Sequence, residues 1–247
     1  MSESDTIPRF DRRTRELAHR VVDLLFDHVE NIREQPVVDW QSSDELRRRF
    51  AVGEEPLDDD RLVEKIAELA RSSIQIHHPS YMGHQVCPPF PTGVIGDLVI
   101  STLNQSTAVW EMSPAATIIE QQIVRWLIDR VGYPADAAGT AVSGGSAANL
   151  TALLAARARL QHEEAGRKRT PVILCSESTH YSVARAASIL GLGPSSVVKI
   201  PVGRDYRMDA DALVRELDGV EASESHAAMA IVATAGSTAT GSFDRLG

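Results

Sequence analysis

An α/β fold behind a helical N-terminal segment is what this 247-residue sequence predicts, from three observations. Helical periodicity alone fills about the first 75 residues. From Gly139 onward, short apolar runs alternate with helix-length segments, the pattern of a largely parallel sheet joined by right-handed crossovers. Apolar runs of this kind end in polar turns, where ligands collect in such sheets.

Taken in order, RELAHRVVDLLFDHVENI puts Leu17, Val21, Leu25 and Ile32 at helical spacing, with Leu24 and Val29 widening the stripe. A second helix begins at Ser42 with Glu45 three residues on, a capping-box pattern, and a third runs through Leu62, Ile66 and Leu69. A leading amphipathic helix of this kind packs on its own core or docks on a second subunit. The stretch IQIHHPSYMGHQVCPPFPTGVIGDL is dense in Pro, Gly, His and aromatics and predicts an irregular loop, the sort of segment that carries function. Residues 93–103 predict a helix. In SPAATIIEQQIVRWLIDRVG, Ser113 suits the N-cap and Pro114 the first turn; Ile119, Ile123, Trp126 and Leu127 form an apolar stripe, and Gly132 closes the helix. Thereafter GTAVS, PVILC, SVVKIP and MAIVATA read as strands, and SAANLTALLAARARLQ, SVARAASILG and ADALVRELD as helices. The chain ends at SFDRLG, where a sheet of this kind normally continues, so the C-terminus reads as cut.

Composition narrows the function classes. With 43% hydrophobic and 24% charged residues the chain reads as a soluble globular protein. Its apolar runs, broken by Gly or Asp, fall short of the roughly 20 residues a membrane span needs. MSESDTIPRFDRRTRE lacks the apolar core of a secretory signal, which points to the cytoplasm. Cys87 and Cys175 are too few for a disulfide framework or a zinc site, and no metal site is expected. A net charge of −9 argues against a general nucleic-acid binder. The basic run Arg47, Arg48, Arg49 sits beside Asp44 and Glu45 and reads as a solvated helix face.

Three polar clusters follow strand-like runs and should converge on one sheet edge: Ser143 to Ser146, Ser176 to His180, and Thr234 to Thr240. The first suits an anion, because glycines let backbone approach closely and the helix behind them presents free N–H groups and the positive end of its dipole. A phosphate is the natural occupant; a tight strand-to-helix turn with a serine cap is the alternative. No G-x-x-x-x-G-K-[ST] or strand-borne G-x-G-x-x-G occurs, which removes the P-loop and dinucleotide readings. A hydrolase elbow, G-x-S-x-G, is missed by one residue around Ser143, where Ala141 holds the first position. A serine hydrolase with Ser143 as nucleophile is therefore a competing reading.

The ordered series HHPSYMGHQ, DLVISTLNQS, WEMSPAATIIEQQIVRWL, VSGGSAANLTALLAAR, SESTHYSVARAASILG and VATAGSTATGSFDRL resembles the pyridoxal-phosphate-dependent group II amino-acid decarboxylases. These include glutamate, aromatic amino acid, cysteine sulfinate and diaminobutyrate decarboxylases. The resemblance runs from about residue 10 to the end and corresponds to about the first half of a full family chain. It implies a PLP-dependent transferase-like large domain (aspartate aminotransferase fold type I), incomplete, with the helical N-terminal segment and substrate-side loop at residues 1–90 and a partial PLP-binding domain at 91–247. The implied activity is decarboxylation of an L-amino acid by a cytoplasmic homodimer with pyridoxal 5'-phosphate as cofactor.

Carried over by position, the resemblance implies that Gly145 and Ser146 hold the cofactor phosphate. His180 is similar to the histidine whose ring stacks on the pyridine face, and it is the one catalytic position among these residues. Thr238, in ATAGST, matches a threonine that contacts the cofactor. Cys87 aligns with a loop position that is threonine in some members, near substrate or cofactor, and His84, Asn104 and Trp110 are candidates for the substrate pocket. The segment WEMSP is closer to the glutamate, cysteine sulfinate and diaminobutyrate branches than to the aromatic one.

The chemistry also needs a lysine that holds the cofactor as a Schiff base and an aspartate at the pyridine nitrogen. In the family these lie downstream of the matched segments, in a D-A-A-like stretch and an H-K pair; no H-K pair occurs here, and the one Asp-Ala-Ala, residues 136–138, precedes the first polar cluster instead of following the last. Lys65, Lys168 and Lys199 sit on a helix face, in the polar loop AGRKRT and on a strand, none of them a credible Schiff-base lysine. The expectation is a fragment that is inactive alone, with a non-catalytic protein of the same fold as the other alternative.

Overall fold

The computed structural model describes residues 10–53, 55–165 and 167–245. The chain divides into two compact units, Met1–Leu103 and Asn104–Gly247. Among the described residues no helix is long and apolar enough to cross a membrane.

The first unit is helical. Helix α1 (Arg12–Glu30) starts at Asp11, whose carboxylate accepts the Thr14 N–H; α2 (Ser43–Arg49) starts at Ser42, whose hydroxyl accepts the Glu45 N–H; α3 (Asp59–Ser72) starts at Asp58, which accepts from Arg61. Helix α4 (Pro91–Leu103) begins two residues before the predicted one, because proline suits a first helical turn. The inner face of α1 is Leu17, Val21, Leu24 and His28, all half-buried, whereas Leu25 and Val29 of the expected stripe are exposed. Ile32 is buried, but in a single 3-10 turn beyond the helix. Arg13 with Asp59 and Arg20 with Asp60, each 2.7 Å apart, tie α1 to the start of α3. Buried Gln75 closes the other end. Its amide N–H group donates to the Ala70 and Ser73 carbonyls, and its Oε1 lies 2.9 Å from His28 Nε2.

The second unit opens with α5 (Pro114–Val131), which ends in Gly132 at φ 80°, the left-handed cap that glycine adopts without strain. Ser113 holds the N-cap position, yet its hydroxyl caps nothing: it is buried and has no hydrogen-bond partner. Of the α5 stripe, Ile119, Ile123, Trp126 and Leu127 are exposed, and the buried position is Ile128. Helix α6 (Gly145–Glu163) then leads to a three-stranded parallel sheet of β1 (Thr170–Ser176), β2 (Val197–Ile200) and β3 (His226–Val232), ordered β2-β1-β3. Helices α7 (Ser182–Ile189) and α8 (Ala210–Glu221) connect the strands.

Two strand expectations are corrected. GTAVS, residues 139–143, forms no strand, because among the described residues no strand flanks it to share a ladder; Ala141 donates its N–H to Glu120 Oε1 instead, at 3.1 Å. Strand β3 begins three residues before MAIVATA, since Thr170 of β1 pairs with His226, and it stops at Val232.

Strand β1 explains the layering. Successive side chains of a strand point to opposite faces. Ile173 and Cys175 pack with Leu153 of α6 and Val183, Ala186 and Ala187 of α7; Val172 and Leu174 pack with Ile200 of β2, Met208 just before α8, and Ala212 of α8. The sheet moves from β1 to β2 under α7 and from β2 back past β1 to β3 over α8. Crossovers of one hand in opposite directions place their helices on opposite faces.

At the base of the sheet, Arg169 clasps Glu164 with two side-chain hydrogen bonds and donates to the His226 carbonyl at 3.2 Å, joining the end of α6 to β3. The hydrogen bond from Arg169 holds the Glu164 carboxyl below its ordinary value, against the opposing effect of desolvation. A lowered folded-state value means stability that is present above the unfolded pKa, about 4.3, and is lost as pH falls through the folded one. Glu164→Gln should therefore unfold at lower urea than wild type at pH 7. The gap should close as pH falls below about 4, read from urea midpoints across a pH series.

Candidate functional site

The polar turns of the second unit gather at the carboxyl ends of β1 and β3. The first cluster sits at the start of α6. Gly144 has φ 153° and ψ 172°, a conformation essentially reserved for glycine, and it lets the chain enter the helix without a side-chain cap. The first backbone bond of the helix runs from Ala148 N–H to the Gly144 carbonyl. The N–H groups of Gly145, Ser146 and Ala147 thus have no acceptor within the helix. A Cβ built at Gly144 or Gly145 would meet nothing within 4 Å, and Ser143 to Ser146 are exposed. These donors, at the positive end of a 19-residue helix, form an open cradle for an anion.

The second cluster is anchored by Ser176, which is buried; its hydroxyl accepts the Ser178 N–H at 3.1 Å and its carbonyl accepts the Thr179 N–H at 2.9 Å. This turn delivers His180 to the start of α7. His180 Nδ1 is 2.8 Å from the Ser182 hydroxyl and accepts the Ser182 N–H at 3.2 Å. The Asn149 side chain of α6 donates to that same hydroxyl at 2.8 Å. The imidazole lies 4.2 Å, centroid to centroid, from the tilted ring of Tyr181, whose own ring carries the Arg185 guanidinium at 4.8 Å. His180 is nonetheless exposed.

The third cluster is a knot of hydroxyls and backbone turns. Ser237 is buried and lies 2.5 Å from the Thr240 hydroxyl and 3.0 Å from that of Ser242, while the Gly236 and Ser237 N–H groups donate to the Ser242 carbonyl. Thr238 is exposed on this turn. Buried Asp244 fixes the knot to the sheet by accepting the Met208 N–H at 2.7 Å and the Thr234 N–H at 2.8 Å. Thr234 and Thr179 meet side by side at 3.3 Å, joining the turns after β3 and β1.

Of the predicted residues, the structure links the Gly145–Ser146 helix to His180 through Asn149 and Ser182, and brings the loop of Thr238 to the loop of His180 through the two threonines. Thr238 itself has no hydrogen bond to either. His84 and Cys87 belong to the first unit, and both are exposed. His84 and Gln85 have φ of 57° and 48°, and Asn104 has φ 46°, left-handed conformations in loop and helix-end positions. Trp110 is half-exposed in a short 3-10 turn of the second unit. Among the described residues no group of three or more His, Cys, Asp or Glu could hold a metal ion.

Ser143 gains no support as a nucleophile. It is exposed, and among the described residues no histidine is hydrogen-bonded to it: His180 is bound to Ser182, and His226 to Ser223 and Ser225. Asn149, Ser182 and Asp244 escaped the sequence reading, while Thr179 fell within the second cluster without a role of its own. Ser182, two residues after His180, carried the only local hint, since a serine at the start of a helix readily engages neighbouring groups through its hydroxyl.

Comparison with known proteins places this architecture. Residues 45–247 match the family described as the pyridoxal-dependent decarboxylase conserved domain. The chain belongs to that family. An L-2,4-diaminobutyrate decarboxylase of Acinetobacter baumannii is 33% identical over 215 residues, 80% of this chain and 42% of its own. An aromatic-L-amino-acid decarboxylase of Bacillus atrophaeus is 30% identical over 236 residues, 94% of this chain and 48% of its own. The chain thus spans less than half the length of these relatives. The solved glutamate decarboxylase domain of a Vibrio parahaemolyticus diaminobutyrate-pyruvate transaminase and L-2,4-diaminobutyrate decarboxylase superposes with a TM-score of 0.88 at 26% identity, over 95% of this chain and 54% of that one. The fold is that of the fold type I large domain, in part, behind its helical segment.

Asp244→Asn would turn one acceptor oxygen into a donor facing a backbone N–H. Leaving that buried group unsatisfied costs about 1–3 kcal/mol, expected as a lowered urea midpoint. An unchanged midpoint would remove Asp244 as the clasp of the third cluster.

Proposed function

We propose that the protein of which this chain forms part decarboxylates an L-amino acid with pyridoxal 5'-phosphate, and that this chain supplies the cofactor's phosphate cradle and the ring that faces it. The observation that carries the reading is the open Gly144–Gly145 turn, three unsatisfied N–H groups wide, linked through Asn149 and Ser182 to His180. Donor set and ligand fit: a phosphate needs N–H donors and a close backbone approach, and a pyridine ring needs a flat exposed partner.

In this reading the Gly145 and Ser146 N–H groups, with the Ser146 hydroxyl, bind the phosphate and set the cofactor's depth. His180 would stack on the pyridine ring, and Thr238 would contact the cofactor. Pyridoxal phosphate supplies an electron sink for the charge left when carbon dioxide departs. His84 and Cys87 are the substrate-side residues, in a functional division at residues 90 and 91. The protein works as a homodimer in the cytoplasm, in keeping with two unpaired cysteines.

None of the three lysines is proposed as the covalent anchor. Lys65 is paired with Glu68 at 2.6 Å and donates to the Arg49 carbonyl; Lys199 donates to the Ser176 carbonyl at 3.4 Å; Lys168 is exposed in a loop. Borohydride reduction of the 247-residue chain with the cofactor should leave no cofactor on lysine by peptide mass mapping, and a modified Lys199 would overturn that assignment.

The cradle is tested by binding. Pyridoxal, which lacks the phosphate, should bind at least about tenfold more weakly than pyridoxal phosphate, a difference of about 1.4 kcal/mol. Gly145→Ala should weaken only the phosphorylated form, with melting temperature held, since its Cβ meets nothing inside the protein. Equal affinities for the two compounds would sink the reading.

A further inference from the structure

The hydrogen bonds around His180 define its protonation in a way that the family resemblance does not. Ser182 N–H points at His180 Nδ1 from 3.2 Å, so Nδ1 presents a lone pair. The Ser182 hydroxyl, 2.8 Å from the same nitrogen, must then donate its proton to it, because two lone pairs would repel at that distance. A hydroxyl that donates in one direction still accepts in another, and Asn149 Nδ2 fills that position at 2.8 Å. Turning the Asn149 amide over would put its oxygen against Ser182. The serine proton would leave for Asn149, and Nδ1 would have to take a proton that then collides with the Ser182 N–H. One arrangement satisfies every group.

We infer that Asn149 and Ser182 are positioning residues that hold His180 as its Nε2–H tautomer, with Nδ1 engaged and Nε2–H as the only ring donor offered to a bound ligand. Nε2 has no hydrogen-bond partner among the described residues, and Ser182 is buried where water competes poorly for its hydroxyl. The relay starts on α6, one turn beyond the anion cradle, and ends on the ring, so both are set by one chain of hydrogen bonds. The use of that ring against a cofactor rests on the function proposed above. The tautomer does not, since every group that sets it belongs to the chain.

The test is long-range nitrogen–proton NMR on the 247-residue chain labelled at its 8 histidines, at a pH where the ring is neutral and without cofactor, with His180→Gln to assign the signal. The expected result is an Nδ1 of imine type and a protonated Nε2. Asn149→Asp keeps the shape but can only accept: it draws the Ser182 proton away and should convert Nδ1 to the protonated type. Ser182→Ala, which retains the backbone N–H, should leave Nδ1 unprotonated while moving its resonance toward the value of a free imine-type nitrogen. A protonated Nδ1 in the parent chain, or an Asn149→Asp spectrum identical to the parent's, overturns the inference. Should Asn149→Asp fail to fold by circular dichroism, the Ser182→Ala shift decides, and no shift overturns it. Titration of the same samples with pyridoxal phosphate reports separately on the proposed function, so the two can fail independently.

Discussion

Strand β1 is bordered on both edges and covered on both faces, and this constraint organises the second unit. Val172, Ile173, Leu174 and Cys175 are at most 1% exposed, which requires a ladder on each side and helices above and below. With four consecutive side chains excluded from water and packed in two different clusters, a slip of β1 by one residue would exchange the two sets and disrupt the packing on both faces. Its carboxyl end is therefore a fixed point. The turn that leaves it, Ser176 to His180, takes its geometry from that end and from the buried Ser176 hydroxyl. The loop after β3 arrives beside it because β3 is the parallel neighbour of β1, so the Thr179–Thr234 contact follows from topology as well as from side-chain choice.

That organisation was legible in the sequence where one rule sufficed. VILC between polar flanks is long enough for a strand and apolar on both faces, and the alternation with SVARAASILG and ADALVRELD implies parallel pairing. Capping at Ser42 and the glycine stop at Gly132 were equally local. GTAVS failed for a physical reason: a strand exists only with a partner, and the apolar pattern of one segment says nothing about whether a neighbour is there. The α1 stripe held only in part, at Leu17, Val21 and Leu24, and the α5 stripe failed, both for a different reason. A helix that is apolar over a wide arc tells which residues want cover, while the partner determines which of them obtain it. Leu24 is half-buried while Leu25 is exposed, and Ile128 rather than Trp126 is buried.

The candidate site divides in the same way. Glycines and serines at a strand-to-helix junction announce an anion cradle because backbone conformation and helix dipole are local properties. His180 and Thr238 were assigned through resemblance, since a histidine or threonine in a turn has many uses. Asn149 and Asp244 were invisible to both approaches, and Ser182 showed only in its spacing from His180. Asn149 is an ordinary residue in an alanine-rich helix until α7 is laid beside it, and Asp244 becomes a clasp only when the turns after β2 and β3 present their N–H groups to it.

These three residues act alike: each uses a buried or half-buried polar group to join two segments distant in sequence. Asn149 reaches 33 positions to Ser182, and Asp244 reaches 36 back to Met208. Apolar packing is strong but forgiving of small rotations, so it sets which helix lies on which face without fixing a ring plane or a proton. Hydrogen bonds are individually modest in net energy, yet a buried donor left unpaired is costly, which makes them directional constraints. The sheet brings the three polar turns together, and the hydrogen bonds then determine their orientation. This division of labour also explains why an exposed part of the second unit's polar edge, Gly144 to Gly145, can stay free of side-chain contacts: its geometry is carried by backbone conformation and by the helix behind it.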